Sequence, residues 1–176
     1  CHNTLKEAEH ASKLPPAQAG PGSFSSLRQL GVLKSTDGGV TWTSSINGMS
    51  ADAREQALLG LDVAPRNSNN LYVTASSNRS YWSDDGGATF HNAARMAAFA
   101  FDPHDPAGLH ILGVSGGEFI RESRDGGRTW TDKARTPGFV SFQQGLPTNF
   151  VWSRTNPNTV FINGPNATIY KSADGG

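Results

Sequence analysis

Ser123-Arg124-Asp125-Gly126-Gly127-Arg128-Thr129-Trp130 sets the architecture of this chain, because the same pattern occurs four times. Two other full copies span 35–42 and 83–90, and a partial copy spans 172–176. The central aspartates of successive copies are 48, 40 and 49 residues apart. The four-stranded blades of β-propellers repeat at about 40 to 50 residues. We refer to the four copies as the first to fourth turn repeats.

The residue types of a turn repeat are those of a tight hairpin turn. Its aspartate, and the serine two positions earlier, can accept hydrogen bonds from the amides of their own loop. The Gly-Gly pair allows positive φ without a Cβ clash, and the closing aromatic residue is expected to fill the hydrophobic layer. We therefore assign a structural role to Ser35, Asp37, Gly39, Trp42, Ser83, Asp85, Gly87, Phe90, Ser123, Asp125, Gly127, Trp130, Ser172 and Asp174.

Each turn repeat is predicted to join the third and fourth strands of a blade. Counting back from the second repeat predicts strands at 58–64, 70–75, 80–83 and 89–92. Residues alternate between the two faces of a strand, so Leu59, Leu61 and Val63 share one face of the first strand. Leu71 and Val73 likewise share one face of the second strand. The same plan predicts strands at 97–101, 109–114, 119–122 and 129–132, then at 149–153, 160–163 and 169–171.

The fold class predicted by these repeats is all-β, an incomplete β-propeller with about three to four antiparallel, four-stranded blades. Propellers close with about four to eight blades. Remaining blades, or another copy of the chain, are therefore expected to complete the ring, since open blade edges expose unpaired strands.

Composition narrows the classes of partner. The chain carries 15 Lys and Arg against 15 Asp and Glu, so its formal net charge is zero. That balance argues against a nucleic acid or an anionic membrane as a partner recognised by bulk charge. The 20 glycines and 10 prolines fit a chain of short strands and many turns. No apolar run reaches the roughly 18 residues that span a bilayer.

The two ends of the chain differ from its body. Residues 1–24 are expected to be a linker or a fragment end, and residues 25–176 the propeller blades. Cys1 is the one cysteine, so no internal disulfide forms. Its position fits either the lipid-modified first residue of a bacterial lipoprotein, tethered by 14–22, or a fragment boundary. An extracellular or periplasmic location is expected.

The turn repeats resemble the Asp-box, also called the bacterial neuraminidase repeat, with the pattern S-x-D-x-G-x-T-W. This repeat occurs in sialidases, xyloglucanase-type glycoside hydrolases, sortilin-type receptors and a photosystem II assembly factor. The resemblance covers residues 31–176 and departs from the pattern at Phe90, where an aromatic residue replaces tryptophan. It implies the blade type more specifically than the activity. The R-I-P motif of sialidases is absent, which disfavours that branch.

In such propellers the ligand binds on the face formed by the B–C and D–A loops, where A to D denote the four strands of a blade. The turn repeats and the A–B turns occupy the opposite face. The resemblance to glycoside hydrolases implies a carboxylate pair. The catalytic candidates in these loops are Glu118, Glu55 and Asp132, with Asp52 also available. The ligand-binding candidates are Arg79, Arg54, Asn78 and Arg135.

Two other patterns are assigned to turns rather than to chemistry. Gly113 to Gly117 reads G-x-S-x-G, but the nucleophile elbow needs a strand that enters a helix, and here the pattern leads into a further strand. Asp102, His104 and Asp105 form a proline-flanked turn, which explains them more simply than a metal site does. No metal and no cofactor are expected.

Two functional hypotheses follow. The first is a carbohydrate-active Asp-box propeller, part of a secreted glycoside hydrolase of the xyloglucanase or sialidase type, with a glycan substrate on the loop face. The second is a non-catalytic propeller that binds a protein ligand, of the sortilin or photosystem-assembly type. Two acidic residues on opposing loops would favour the enzyme.

Overall fold

The computed structural model describes residues 31–50, 58–75, 79–116, 118–138, 149–164 and 168–176. These residues form thirteen strands and no helix. Accordingly, no helix long and apolar enough to cross a membrane occurs in this part of the chain. The strands are β1 (Val32–Lys34), β2 (Thr43–Ser45), β3 (Leu58–Val63), β4 (Leu71–Ala75), β5 (Ser80–Ser83), β6 (His91–Ala93), β7 (Ala98–Phe101), β8 (Ile111–Ser115), β9 (Phe119–Ser123), β10 (Thr131–Arg135), β11 (Phe150–Trp152), β12 (Val160–Asn163) and β13 (Ile169–Ser172).

The strands form four antiparallel sheets that follow one another along the chain. Sheet A contains β1 and β2, sheet B contains β3 to β6, sheet C contains β7 to β10, and sheet D contains β11 to β13. Within each sheet, strands that are neighbours in sequence are neighbours in space. The first strand of sheet C contacts the first strands of sheets B and D, as the inner strands of propeller blades do. The all-β, incomplete-propeller prediction is therefore confirmed.

The predicted strand bounds hold to within three residues, and the largest errors lie in the fourth strands. The fourth strands begin at His91 and Thr131, two residues later than the sequence indicates. The amides of Thr89 and Thr129 donate to the aspartates of their own turns instead of to the neighbouring strand. The turn repeat therefore extends through its threonine before strand pairing starts.

The hydrophobic core lies in three layers between consecutive sheets. Sheets A and B enclose a cluster that includes Val32, Tyr81 and Phe90. Tyr72 and Ile111 are fully buried between sheets B and C, and Leu112, Val114, Phe150, Trp152 and Val160 lie between sheets C and D. Because strand β4 lies between the layer shared with sheet A and the layer shared with sheet C, it is buried along its whole length.

Polar contacts also fasten one sheet to the next. Asp62 accepts a hydrogen bond from the Phe101 amide across the B–C boundary, 2.9 Å away. Burial raises the pKa of Asp62 above its ordinary value, although this bond and one from the Val63 amide act in the opposite direction. The side-chain amide nitrogen Nδ2 of the buried Asn70 donates to the Gly108 carbonyl at 2.9 Å across the same boundary.

The first strand of sheet B has one uncovered face. Leu59, Leu61 and Val63 alternate onto one side of β3, as predicted, and all three are exposed. Among the described residues, sheet A supplies only an outer pair of strands, so it covers the outer part of sheet B and leaves β3 open.

The prediction that Trp42 is buried is wrong. Its side chain is 59% exposed, whereas Phe90 at the equivalent position is 2% exposed and Trp130 is partly buried. Phe90 packs in the layer below sheet A, and Trp130 packs edge-to-face on Tyr72 of sheet B, with ring centroids 5.6 Å apart. The aromatic residue of a turn repeat thus packs against the preceding sheet, and within the described residues no sheet precedes Trp42.

Candidate functional site

The turn repeats share one set of hydrogen bonds. In the third repeat, the Ser123 hydroxyl donates to Asp125 Oδ1 at 2.8 Å and accepts from the Gly127 amide at 2.8 Å. Asp125 Oδ1 also accepts from the Thr129 amide at 2.9 Å. The first and second repeats contain the same bonds, and the fourth contains the serine–aspartate and serine–glycine bonds. The side chains of each repeat therefore accept hydrogen bonds from amides of the same turn.

These bonds change the acidity of the turn aspartates. Hydrogen bonds, chiefly from the Thr41 hydroxyl and amide, lower the pKa of Asp37 to about 2. Burial alone would raise the pKa of Asp125, but bonds from Thr129 and Ser123 outweigh it and lower that pKa. Since the bonds favour the charged carboxylate, the aspartates act as acceptors that hold the turn.

The second, third and fourth turn repeats are also bonded to the A–B turns of their own sheets. The amides of Gly86, Gly126 and Gly175 donate to carbonyls of the A–B turns at 2.8 to 2.9 Å. The repeats and the A–B turns therefore lie at one end of the sheets, which we call the turn end. The B–C and D–A loops lie at the opposite end, which we call the loop end. It includes the described residues 46–50, 79, 94–97, 116, 118, 136–138, 149, 164 and 168.

A buried charged cluster lies at the turn end of sheet C. His110 Nδ1 is 2.9 Å from Asp102 Oδ2, and His110 Nε2 is 2.9 Å from Glu122 Oε1. Glu122 also pairs with Arg124 at 2.8 Å and with Lys133 at 3.3 Å. Burial would raise the pKa of Glu122, but its bond and charge contact with Lys133 lower it. The carboxylates of Asp102 and Glu122 therefore have hydrogen-bond or ion-pair partners within sheet C.

A cavity of about 330 Å³ adjoins this cluster and includes Asp102, His104 and Asp105 in its lining. Asp102 accepts from the His104 amide, and Asp105 accepts from the Leu109 amide at 2.7 Å. The assignment of these three residues to turn formation is supported by those bonds. No group of three or more His, Cys, Asp or Glu residues suited to a metal ion occurs among the described residues.

The G-x-S-x-G pattern lies where strand β8 ends. Ser115 is the last residue of β8 and pairs with Phe119, the first residue of β9. The pattern therefore joins two antiparallel strands, as predicted, and the strand-to-helix geometry of a nucleophile elbow is absent there.

Two predicted site residues come together at the loop end of sheet C. Glu118 Oε1 lies 3.3 Å from Arg135 Nη1, and the Arg135 guanidinium lies 5.3 Å from the centre of the Phe119 ring. The Glu118 carbonyl accepts from the Thr136 amide at 2.9 Å, which extends the pairing of β9 and β10 towards the loop end. Both charged side chains are at least half exposed, so they are accessible to a ligand.

The placement of Asp132 in a D–A loop is wrong. Strand β10 continues to Arg135, so Asp132 lies within the outermost strand of sheet C. There its carboxylate is 2.8 Å from Arg121 Nε on the paired strand β9. Because β10 starts later in the sequence than predicted, Asp132 is the second residue of this strand and lies near the turn end.

The other predicted residues have separate outcomes. Arg79 is exposed at the loop end, and its carbonyl accepts from the Ala75 amide at 2.8 Å to close the B–C loop. Residues 51–57 and 76–78 lie outside the described residues, and they include the candidates Asp52, Arg54, Glu55 and Asn78. Among the described residues, Glu118 is the one carboxylate at the loop end.

Sequence reasoning overlooked Arg95. It is exposed in the short connection between β6 and β7, next to Met96, which is almost fully buried. The anchoring of Met96 fixes the backbone that carries Arg95 at the loop end. The signal available in the sequence was the position of Arg95 between the second turn repeat and the next inner strand.

No family model and no curated protein matches the chain. Solved structures do resemble it. An ancestral GH74 enzyme is 23% identical, with a TM-score of 0.60 over 85% of this chain and 21% of that one. The GH74 xyloglucanase from Xanthomonas campestris is 17% identical, with a TM-score of 0.58 over 76% of this chain and 24% of that one.

A third similar structure is YCF48 bound to the D1 peptide. It is 16% identical, with a TM-score of 0.51 over 69% of this chain and 38% of that one. The chain thus spans about a fifth to two-fifths of the length of these structures. At this level of identity the likeness establishes the propeller fold.

Proposed function

We propose that this chain is part of a carbohydrate-active Asp-box propeller of a glycoside hydrolase, with a glycan bound across the loop end. The observation that carries the proposal is the Glu118–Arg135 pair beside the Phe119 ring. Charged groups and an aromatic ring supply the hydrogen bonds and apolar contacts by which sites hold a polar ligand. The likeness to two GH74 structures supports the choice of a glycan.

Glu118 is the proposed acid of this site. Hydrolysis of a glycoside generally requires two carboxyl groups, separated by about 5 to 10 Å across the scissile bond. The described loop end supplies one of them. We assign the second to Glu55 or to a blade outside this chain, and we assign Arg79, Arg54 and Asn78 to ligand binding.

The test is hydrolysis of xyloglucan by the full-length protein, measured as the release of reducing ends. Glu118→Gln is expected to lower turnover by about 100-fold or more, because an amide cannot exchange the proton. Arg135→Ala is expected to weaken substrate binding. Asp84→Asn is the matched control, since it makes the same carboxylate-to-amide change at the turn end, where Asp84 pairs with Arg128.

The proposal fails if Glu118→Gln keeps the turnover of the Asp84→Asn control. A binding function without catalysis is indicated if the wild-type protein binds xyloglucan saturably and releases no reducing ends.

A second candidate is a propeller that binds a protein segment. It is supported by the likeness to YCF48 bound to the D1 peptide, with a TM-score of 0.51 over 69% of this chain. Fluorescence anisotropy with a labelled D1 peptide tests it. Saturable peptide binding that Arg135→Ala weakens, without any binding of xyloglucan, would select this candidate.

A further inference from the structure

Both ring nitrogens of His110 face carboxylate oxygens at the turn end of sheet C. Nδ1 lies 2.9 Å from Asp102 Oδ2, and Nε2 lies 2.9 Å from Glu122 Oε1. A neutral imidazole carries one N–H donor and one bare nitrogen, whereas the charged imidazolium donates from both nitrogens. Only the charged form of His110 therefore donates to both carboxylates, because in either neutral form one carboxylate faces a nitrogen lone pair.

The hydrogen that completes the second bond lies on the ring and not on a carboxyl group. Burial would raise the pKa of Glu122, but its contacts with Lys133 and Arg124 lower it, so this carboxyl group is ionised. Asp102 also accepts a hydrogen bond from the His104 amide at 2.8 Å, through its other oxygen Oδ1. Because an imidazole is ordinarily a much stronger base than a carboxylate, Asp102 acts as an acceptor in both bonds.

The titratable groups that contact this ring and its partners come from every element packed against it. Three acidic groups belong to the A–B turn and to strand β9, and they are Asp102, Asp105 and Glu122. The basic groups belong to sheet B, the A–B turn, the third turn repeat and strand β10, and they are Arg66, His104, Arg124 and Lys133. Sheet D contributes an uncharged ring, that of Trp152, edge-to-face on His110. Arg124 and Lys133 both pair with Glu122, so His110 is the cation that Asp102 contacts.

Burial makes the second bond important. His110 is 8% exposed and Asp102 is 9% exposed, so water has little access to a bond that either side chain loses. A neutral ring keeps its hydrogen on Nδ1, because Asp102 has fewer partners than Glu122 does. The bond that is lost is therefore the one to Glu122, which joins the A–B turn to strand β9.

We propose that His110 is a pH-sensitive switch at the turn end of sheet C. Its charged form connects the A–B turn to strand β9 through Asp102 and Glu122, and loss of one proton breaks the connection to Glu122. The adjoining cavity of about 330 Å³, lined in part by His110 and Asp102, leaves this turn room to move. Histidine is the side chain whose ordinary titration lies between about pH 5 and 8. The switch lies away from the loop end and goes beyond the proposed glycan binding.

The direction of the pH dependence follows from the hydrogen bonds. The folded protein favours the charged ring of His110, because two carboxylates accept its hydrogens, and the unfolded chain offers neither partner. The stabilisation should therefore be complete below about pH 6, where histidine in the unfolded chain is itself charged. It should be lost as the pH rises and the folded ring gives up its proton.

Nuclear magnetic resonance of the full-length protein, isotopically labelled at its histidines, tests the charge directly. His110→Gln identifies the His110 signals by removing them. At about pH 6, both ring nitrogens of His110 are expected to carry hydrogens in the wild type. In Asp102→Asn the new amide group donates to Nδ1, so the ring is expected to carry one hydrogen, on Nε2, at the same pH.

Thermal melts of the same proteins test the effect on the fold. Between about pH 6 and 8, the melting temperature of the wild type is expected to fall towards that of His110→Gln. Asp102→Asn is expected to lose this pH dependence, since its neutral ring keeps both bonds. His91→Gln is the matched control, because it removes an exposed histidine that stacks on Trp82 in sheet B, and it should follow the wild type.

Circular dichroism checks the folding of each variant, and if His110→Gln does not fold, Asp102→Asn supplies the reference for both measurements. A bare ring nitrogen on His110 in the wild type at about pH 6 overturns the proposal. So does a difference in melting temperature between the wild type and the reference variant that stays constant from about pH 6 to 8.

Discussion

Replacing the closing aromatic residues of the turn repeats by alanine should separate positions that the sequence pattern treats as equal. Phe90 is 2% exposed between sheets A and B. Phe90→Ala removes a fully buried ring and should lower the free energy of unfolding by about 3 to 5 kcal/mol. Trp42 is 59% exposed, so about two-fifths of its surface is covered, mostly by its own turn.

The expected cost at Trp42 follows from that area. Two-fifths of a side chain of about 200 Å² is about 80 Å², which corresponds to about 2 kcal/mol at about 25 cal/mol per Å². This value is an upper bound, because the unfolded chain retains part of a contact so local in sequence. Trp42→Ala should therefore cost clearly less than Phe90→Ala, with Trp130→Ala between the two.

Urea denaturation followed by far-UV circular dichroism, at a protein concentration too low for self-association, measures the series. Phe90→Leu is the control, because it keeps an apolar side chain in the same layer and should recover much of the loss. If Trp42→Ala costs as much as Phe90→Ala, the inference that a turn repeat packs against the preceding sheet is refuted.

Four further substitutions have defined outcomes. Asp125→Ala should cost about 1 to 2 kcal/mol in urea denaturation, since it leaves turn amides without an acceptor. Because hydrogen bonds hold the pKa of Asp37 at about 2, against 3.8, the stabilisation it provides should be complete above about pH 4 and lost as the pH falls towards 2; Asp37→Asn should flatten stability over that window in acid titrations. His110→Gln should cost about 1 to 3 kcal/mol, because it disturbs the largely buried hydrogen bonds of His110 to Asp102 and Glu122, and a melting temperature equal to that of the wild type would contradict this. Arg128→Ala should lower the free energy of unfolding by about 1 kcal/mol, because it removes the ion pair with Asp84 and the contact with the Trp82 ring. Arg124 is exposed, so Arg124→Ala should change the melting temperature very little.

The strand order could be predicted because turn sequences mark the connections between the strands of each blade. The turn repeat fixes the third and fourth strands, and the Pro/Asn/Asp turns separate the first and second. The alternation of Leu59, Leu61 and Val63 also predicted a shared face correctly. These features are local in sequence, so a pattern of adjacent residues is enough to identify them.

Burial and the site were harder to predict, because they depend on neighbouring sheets. The pattern that buries Phe90 leaves Trp42 exposed, and the difference lies in which sheet precedes each turn. The pairing of Glu118 with Arg135 depends on strand β10 being longer than its sequence indicated, and the same extension moves Asp132 out of the loop end. No local pattern specifies these relations.

The division of the molecule into a structural turn end and a binding loop end can be tested most directly by nuclear magnetic resonance. A xyloglucan oligosaccharide would be titrated into the isotopically labelled chain, and the backbone amide shifts would be mapped. We expect the shifts to concentrate at residues 94–97, 118–119 and 135–136, with little change in the turn repeats. Shifts concentrated at residues 83–90 and 123–130, or no shifts at all, would contradict it.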